Sequence, residues 1–368
     1  MSQKKSKTRI LFLNLLLLMM SLLFLFLLLE FIVFRFILPA CDYPNLATAQ
    51  VVVKYKPDQS GTYRVRFEIE SPFRINSQGW NSARSEYRII KGKRRIAVIG
   101  DSYVEAFQVP YNKSFSELLD EEMGEDWEVF RFGISGAPLS HYLWMLEKEV
   151  VSYKPDIVIL NLVHNDFSES WQAQGGEYSS SFMKFVINSE GGIKSRPPTP
   201  YSPSRFSFVR QMAWYRFLAY RFQVSPGALV RKLLNREAVA VANVNLEDLK
   251  QSRLNNRLVF SHSLKILKEL EKVHGFQTVL QIDGVRDLIE GIAGNEESEE
   301  VLKLNDLVVE ECSSLQMNCL DLHPVFEEHF RKGNKSFQFE HDGHWNELSH
   351  QIVANELKRQ IMEMAGKN

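Results

Sequence analysis

Four short stretches of the 368-residue chain carry side chains that could share one acyl-transfer reaction. A serine hydroxyl is too weak an acid to attack an ester unaided. It needs a base, a group that orients the base, and donors for the developing oxyanion. Ser102 closes the apolar run of "RRIAVIGDSYVEAF", where a predicted strand ending in Gly100-Asp101-Ser102 sets the hydroxyl at the carboxyl end of a sheet. A serine there can equally cap the helix that follows. Gly136 in "FGISGAPLS" offers an unobstructed backbone N–H in a strand-to-helix turn, and Asn165 in "LNLVHNDF" offers a side-chain amide at the end of an apolar strand. In "FEHDGHWNELSHQ", Asp342 lies two residues before His344, close enough to bind imidazole Nδ1 and leave Nε2 free as the base. Alternatively, Asp342 and Asn346 cap the final helix. His164 is a second candidate base, although β alternation sends it to the face opposite Asn165.

Each stretch follows a predicted strand, and the chain order Ser, Gly, Asn, Asp, His resembles the SGNH, or GDSL-type, hydrolase family. The resemblance runs from about Arg94 to Ala365, less an insertion, and implies a flavodoxin-like sheet and ester hydrolysis by a Ser-His-Asp triad. Carried onto this chain, it makes Ser102 the nucleophile, His344 the base and Asp342 the orienting acid. The Ser102 N–H, the Gly136 N–H and the Asn165 side chain would form the oxyanion hole. Two departures stand out. Val163 replaces the glycine of the usual G-x-N-D block, and the last block reads D-x-H rather than D-x-x-H, so that His341 occupies the usual acid position. The D-x-H-W spacing resembles membrane-tethered sugar O-acyl enzymes. The implied activity is therefore an envelope serine esterase removing acyl groups, O-acetyl above all, from a glycan. An O-acyltransferase using the same triad, and a non-catalytic glycan-binding or assembly factor, are the rival readings.

The elements that must position these residues alternate from Arg94 onward. Strands are expected at "RIAVIG", "WEVFRFGI", "DIVILNLV", "TVLQID" and "NCLDLH". Helices are expected at "SFSELLDEEM", opened by a Ser114/Glu117 capping box, at "LSHYLWMLEKEVVSY", around Ser263 to His274, near Glu296 to Glu311, and from about Glu347. Such β-α repeats predict an α/β fold with a doubly wound parallel sheet. The expected organisation is a tail over 1–9, a membrane anchor over 10–38, a β-rich preface over 45–92 with strands in "AQVVVKYKP" and "TYRVRFEIES", and a catalytic domain over 93–368. A helical insertion over 168–254 interrupts that domain. In the insertion Arg205, Arg210, Arg216, Arg221, Arg231, Lys232 and Arg236 gather among Phe206, Phe208, Trp214, Tyr215, Phe217, Tyr220 and Phe222. This is read either as a lid with solvated arginines or as a face for an anionic polymer or lipid surface.

Twenty uncharged residues, Ile10 to Leu29, suffice to cross a roughly 30 Å hydrocarbon layer. Lys4, Lys5, Lys7 and Arg9 precede them, which predicts a cytoplasmic N-terminus and a single-pass signal anchor, with the remainder on the periplasmic or extracellular side. "LPAC", ending at Cys41, offers a lipoprotein-like alternative. A net charge of −1 supplies no field that would recruit nucleic acid, and none is expected as a partner. The expected partners are an acylated carbohydrate or small ester, and the membrane. Cys41, Cys312 and Cys319 show no metal spacing, so neither metal nor cofactor is expected; an oxidising compartment would permit a Cys312–Cys319 bridge, but the pair is read first as ordinary buried thiols.

Overall fold

The computed structural model describes residues 2–205, 207–224, 240–241, 244–292 and 295–366. Phe206, Arg231, Lys232 and Arg236 of the basic aromatic stretch lie outside the described residues. The chain divides into two compact units. One holds Met1–Asp42, Arg64–Phe67 and Ser204–Arg236, and the other holds the rest.

In chain order the strands are β1 (Ser60–Val65), β2 (Ile69–Arg74), β3 (Arg94–Gly100), β4 (Trp127–Gly133), β5 (Ile157–Leu162), β6 (Lys184–Ile187), β7 (Ile193–Arg196), β8 (Ala240–Val241), β9 (Val244–Asn245), β10 (Gln277–Ile282) and β11 (Asn318–Asp321). The larger unit is built on a five-stranded sheet ordered β11-β10-β5-β3-β4, with every neighbouring pair parallel. Counted along the chain this is the 2-1-3-4-5 order of the flavodoxin-like fold, whose switch point lies between β3 and β5. Alternation within β3 divides the core. Ile96 and Val98 pack on one face with helices Phe115–Met123, Leu322–Gly333 and Glu347–Ala365. Ala97 and Ile99 face Leu139–Lys148, Leu246–His274 and Asn295–Leu315. The last helix presents Ile352, Val353, Leu357 and Ile361, each 4% exposed or less, to the first of these layers. Truncating one of them, Leu357→Ala, should cost about 2–5 kcal/mol.

Four local expectations are corrected. "AQVVVKYKP" forms no strand. It runs as irregular chain with one bridge, Leu46 to Tyr55, and buries Val52, Val53 and Tyr55 in the core that Phe130 and Phe132 share. The capping box is not formed either, because Glu117 turns away to accept from Ser82 Oγ (2.7 Å) and the Ala83 N–H (2.9 Å). Cys312 and Cys319 are joined in a disulfide with Cα atoms 6.3 Å apart. The bond from the Met317 N–H to the Cys312 carbonyl turns the chain between them. Finally, the preface does not stand apart. Residues 43–63 and 68–92 belong to the same compact unit as the sheet.

In the smaller unit a helix over Ser2–Leu28 continues into a wider turn over Leu29–Ile37. Arg9–Ile37 is long and apolar enough to cross a membrane, with a mean hydropathy of 2.8 and 6% of its most apolar stretch buried. Glu30, 3% exposed, accepts the Ala213 and Trp214 N–H groups at 2.9 and 3.0 Å and so fastens the start of a short helix to it. Phe217 stacks on Phe34 at 4.6 Å. Part of the basic stretch is satisfied internally. Arg221 donates to the Arg66 carbonyl (2.6 Å) and lies over the Phe67 ring, and Arg216 is 3.8 Å from Asp42. Cys41 is fully buried, and that burial pushes its thiol up to about 12.

Candidate active site

β3 ends at Gly100, and a four-residue helix, Ser102–Glu105, begins at once. The cap of that helix is Asp101, whose carboxylate accepts the Tyr103 N–H at 3.0 Å. The Ser102 hydroxyl is thereby released from capping. Its Oγ lies 2.8 Å from His344 Nε2 and 3.3 Å from Asp101 Oδ2. Asp342 Oδ1 takes up the other ring nitrogen, Nδ1, in a short hydrogen bond, and also accepts the His344 N–H at 3.0 Å. Burial alone would raise the Asp342 carboxyl, but the hydrogen bonds from His344 outweigh it and hold the group below its ordinary value. Asp101 is pushed up to about 6, chiefly by burial. The structure thus brings Ser102, His344 and Asp342 into one hydrogen-bonded chain.

The loop that carries His344 is fastened by long-range contacts. Trp345 is fully buried and donates its indole N–H to Asp283 Oδ1 (2.9 Å). Arg286 pairs with Asp283 Oδ2 (2.9 Å) and donates to the Gly343 carbonyl (2.8 Å). The same carbonyl accepts from the Tyr103 hydroxyl (2.9 Å), so the residue between Asp342 and His344 is held from β3's helix and from the end of β10. His341, by contrast, is exposed and its N–H goes to Glu68 (3.0 Å). His164 is 1% exposed and its Nε2 meets Asn305 Oδ1 at 2.9 Å, which commits it to the core.

Gly136 and Asn165 line one cleft of about 450 Å³. Gly136 has φ +74°, a left-handed conformation that favours glycine and turns the chain after β4. The preceding turn is latched by Glu105, one helical turn after Ser102. Its Oε1 accepts the Ser135 N–H (3.1 Å) and the Tyr55 hydroxyl (2.5 Å), while the Ser135 carbonyl accepts from Tyr178 (3.0 Å). β4 can pass this close only because Gly133 lacks a Cβ, which would stand 2.2 Å from the Glu105 nitrogen. Asn165 precedes the short helix Asp166–Glu169. Asp166 holds that turn by accepting the Val163 N–H (2.9 Å) and the Tyr142 hydroxyl (2.9 Å). Glu169, on the cleft wall, is pushed up to about 7 chiefly by burial. A carboxylate following a serine by three residues in an otherwise apolar run was the available signal for Glu105. Trp345 was visible only as the last residue of the D-x-H-W block, and for its partner Asp283 there was no signal, since their pairing spans 62 residues.

No family model and no curated protein matches the sequence. Solved structures that align with it include an acetyl xylan esterase, AlAXEase, at 14% identity and TM-score 0.40, covering 72% of this chain and 97% of that one. A member of the lipolytic protein G-D-S-L family from Veillonella parvula aligns at 12% and 0.39, with 72% and 97% coverage. A lipase/acylhydrolase from Enterococcus faecalis aligns at 14% and 0.39, with 73% and 95% coverage.

Proposed function

We propose that the chain is a serine esterase, anchored by its N-terminal helix with the sheet unit outside the cytoplasm, that hydrolyses acyl esters, O-acetyl groups on a glycan above all. The observation that carries this is the 2.8 Å approach of Ser102 Oγ to His344 Nε2 with Asp342 behind the ring. His344 Nε2 takes the Ser102 proton as Oγ forms a bond to the ester carbonyl carbon. The oxyanion is met by the Ser102 N–H, the Gly136 N–H and the Asn165 amide. The ester C–O bond then breaks, the alcohol leaves with the proton held on His344, and water repeats the sequence to free the acid. The basic residues before Ile10 and none among the twenty that follow support a cytoplasmic N-terminus.

The test is hydrolysis of p-nitrophenyl acetate by the full chain in detergent. Turnover that disappears in Ser102→Ala is expected. Turnover equal in both chains would refute the role of Ser102.

A further inference from the structure

Most of the chemistry of the cleft beside Gly136 and Asn165 is not used by the triad. Its volume, about 450 Å³, falls in the roughly 300–1,000 Å³ range of small-molecule sites. Its wall is polar. Gln172 and Gln174 supply carboxamides, Glu169 and Glu177 carboxylates, and Ser168 and Ser179 hydroxyls. Among the described residues no lysine or arginine lines it. Lys184, which donates to the Glu169 carbonyl and to Gln174 Oε1, is 3% exposed and sits behind the wall.

Resting on the esterase reading above, we propose that this cleft seats the alcohol portion of the ester and that the alcohol is a neutral, hydroxyl-rich glycosyl unit. Position is the first argument. Gly136 and Asn165, two of the three donors assigned to the oxyanion, line the cleft, so an alcohol seated in it is next to the place assigned to the ester carbonyl. Polarity is the second. An acyl chain of any length would strip water from carboxamides and carboxylates without replacing their hydrogen bonds, whereas sugar hydroxyls both donate and accept. Charge is the third. Glu177 is exposed at the rim, and the nearest cation, Lys184, is already committed to the Glu169 carbonyl and Gln174 Oε1, so a uronate or phosphate finds no lining cation to pair with directly. The long acyl groups of lipids are disfavoured by the same wall.

The experiment compares acetylated cellotriose with an acetylated trigalacturonate, using the full chain in detergent. The readout is the ratio of kcat/KM on each sugar ester to kcat/KM on p-nitrophenyl acetate. The neutral ester is expected to give the higher ratio. Gln172→Ala should lower it about tenfold, the scale of a lost hydrogen bond, and Glu177→Lys should raise the ratio for the uronate by about the same factor. A uronate preference in the unaltered chain, or ratios unmoved by both variants, overturns the proposal. Calorimetric titration of the Ser102→Ala chain with the same two sugars separates this from the esterase reading. Preferential binding of the neutral sugar with no hydrolysis in the parent would uphold the subsite and defeat the esterase. Equal or absent binding beside Ser102-dependent hydrolysis would do the reverse.

Discussion

Glu105→Gln tests how the turn before Gly136 is held. The Glu105 carboxyl is buried to 3% exposure and pushed up to about 8, chiefly by burial, against an ordinary value of 4.5. Between these two pH values the unfolded chain has released the proton and the folded chain keeps it, so the folded state loses stability as pH rises. At 1.36 kcal/mol per pH unit the loss reaches about 5 kcal/mol by pH 8 and then stops growing. Glutamine keeps a carbonyl oxygen for the Ser135 N–H and the Tyr55 hydroxyl and never ionises. The variant should therefore match the parent within about 1 kcal/mol near pH 5 and exceed it by up to about 5 kcal/mol near pH 8.5. Urea unfolding followed by tryptophan fluorescence at both pH values measures the difference. In turnover, the ionised carboxylate behind the Ser135–Gly136 turn opposes a forming oxyanion, so the parent should lose activity above pH 8 and Glu105→Gln should not. A stability difference that does not change with pH would refute the reasoning.

Other perturbations probe the remaining parts. Asn165→Ala should cost about 2.7–4 kcal/mol of barrier, read as a fall in kcat of about 10²–10³, while circular dichroism stays that of the parent. Asp342→Asn should lower kcat by about 10⁴, because an amide beside Nδ1 favours the wrong imidazole tautomer. Trp345→Phe leaves Asp283 Oδ1 without its indole donor, at a cost of about 1–3 kcal/mol in urea unfolding, and should slow turnover by loosening the loop around Gly343.

What could be read from the sequence was whatever depends on local pattern. Runs such as "RIAVIG" and "DIVILNLV" are apolar throughout because both faces of β3 and β5 are covered, and this announces a buried parallel strand. The same patterning misled at "AQVVVKYKP". Val52 and Val53 are buried side by side, with Tyr55 two residues on, and among the described residues no strand partners them, so the segment is anchored into the core as a loop and its β-branched composition alone suggested a strand. Ser114 and Glu117 had capping-box spacing, but Ser82 and Ala83 compete for the carboxylate from outside the local segment. The Cys312–Cys319 bridge depended on a Cα separation that spacing cannot supply. Ser102, Gly136 and Asn165 were visible because each lies just after a strand, whereas Asp342 and His344, expected there too, follow the helix Leu322–Gly333 and were visible only from their spacing before the last helix. The residues that fasten them, Glu105 and Tyr55 behind Ser135, and Asp283 and Arg286 behind the His344 loop, were not, because their contacts are long-range.

The most direct test of the central claim is covalent labelling of the full chain with a fluorophosphonate probe, followed by peptide mass spectrometry. The geometry predicts a single adduct on Ser102, lost in His344→Ala because the imidazole 2.8 Å from Oγ is removed and the remaining neighbour, the Asp101 carboxylate at 3.3 Å, is a weaker and more distant base. An adduct on another serine, or labelling of Ser102 undiminished without His344, would contradict it.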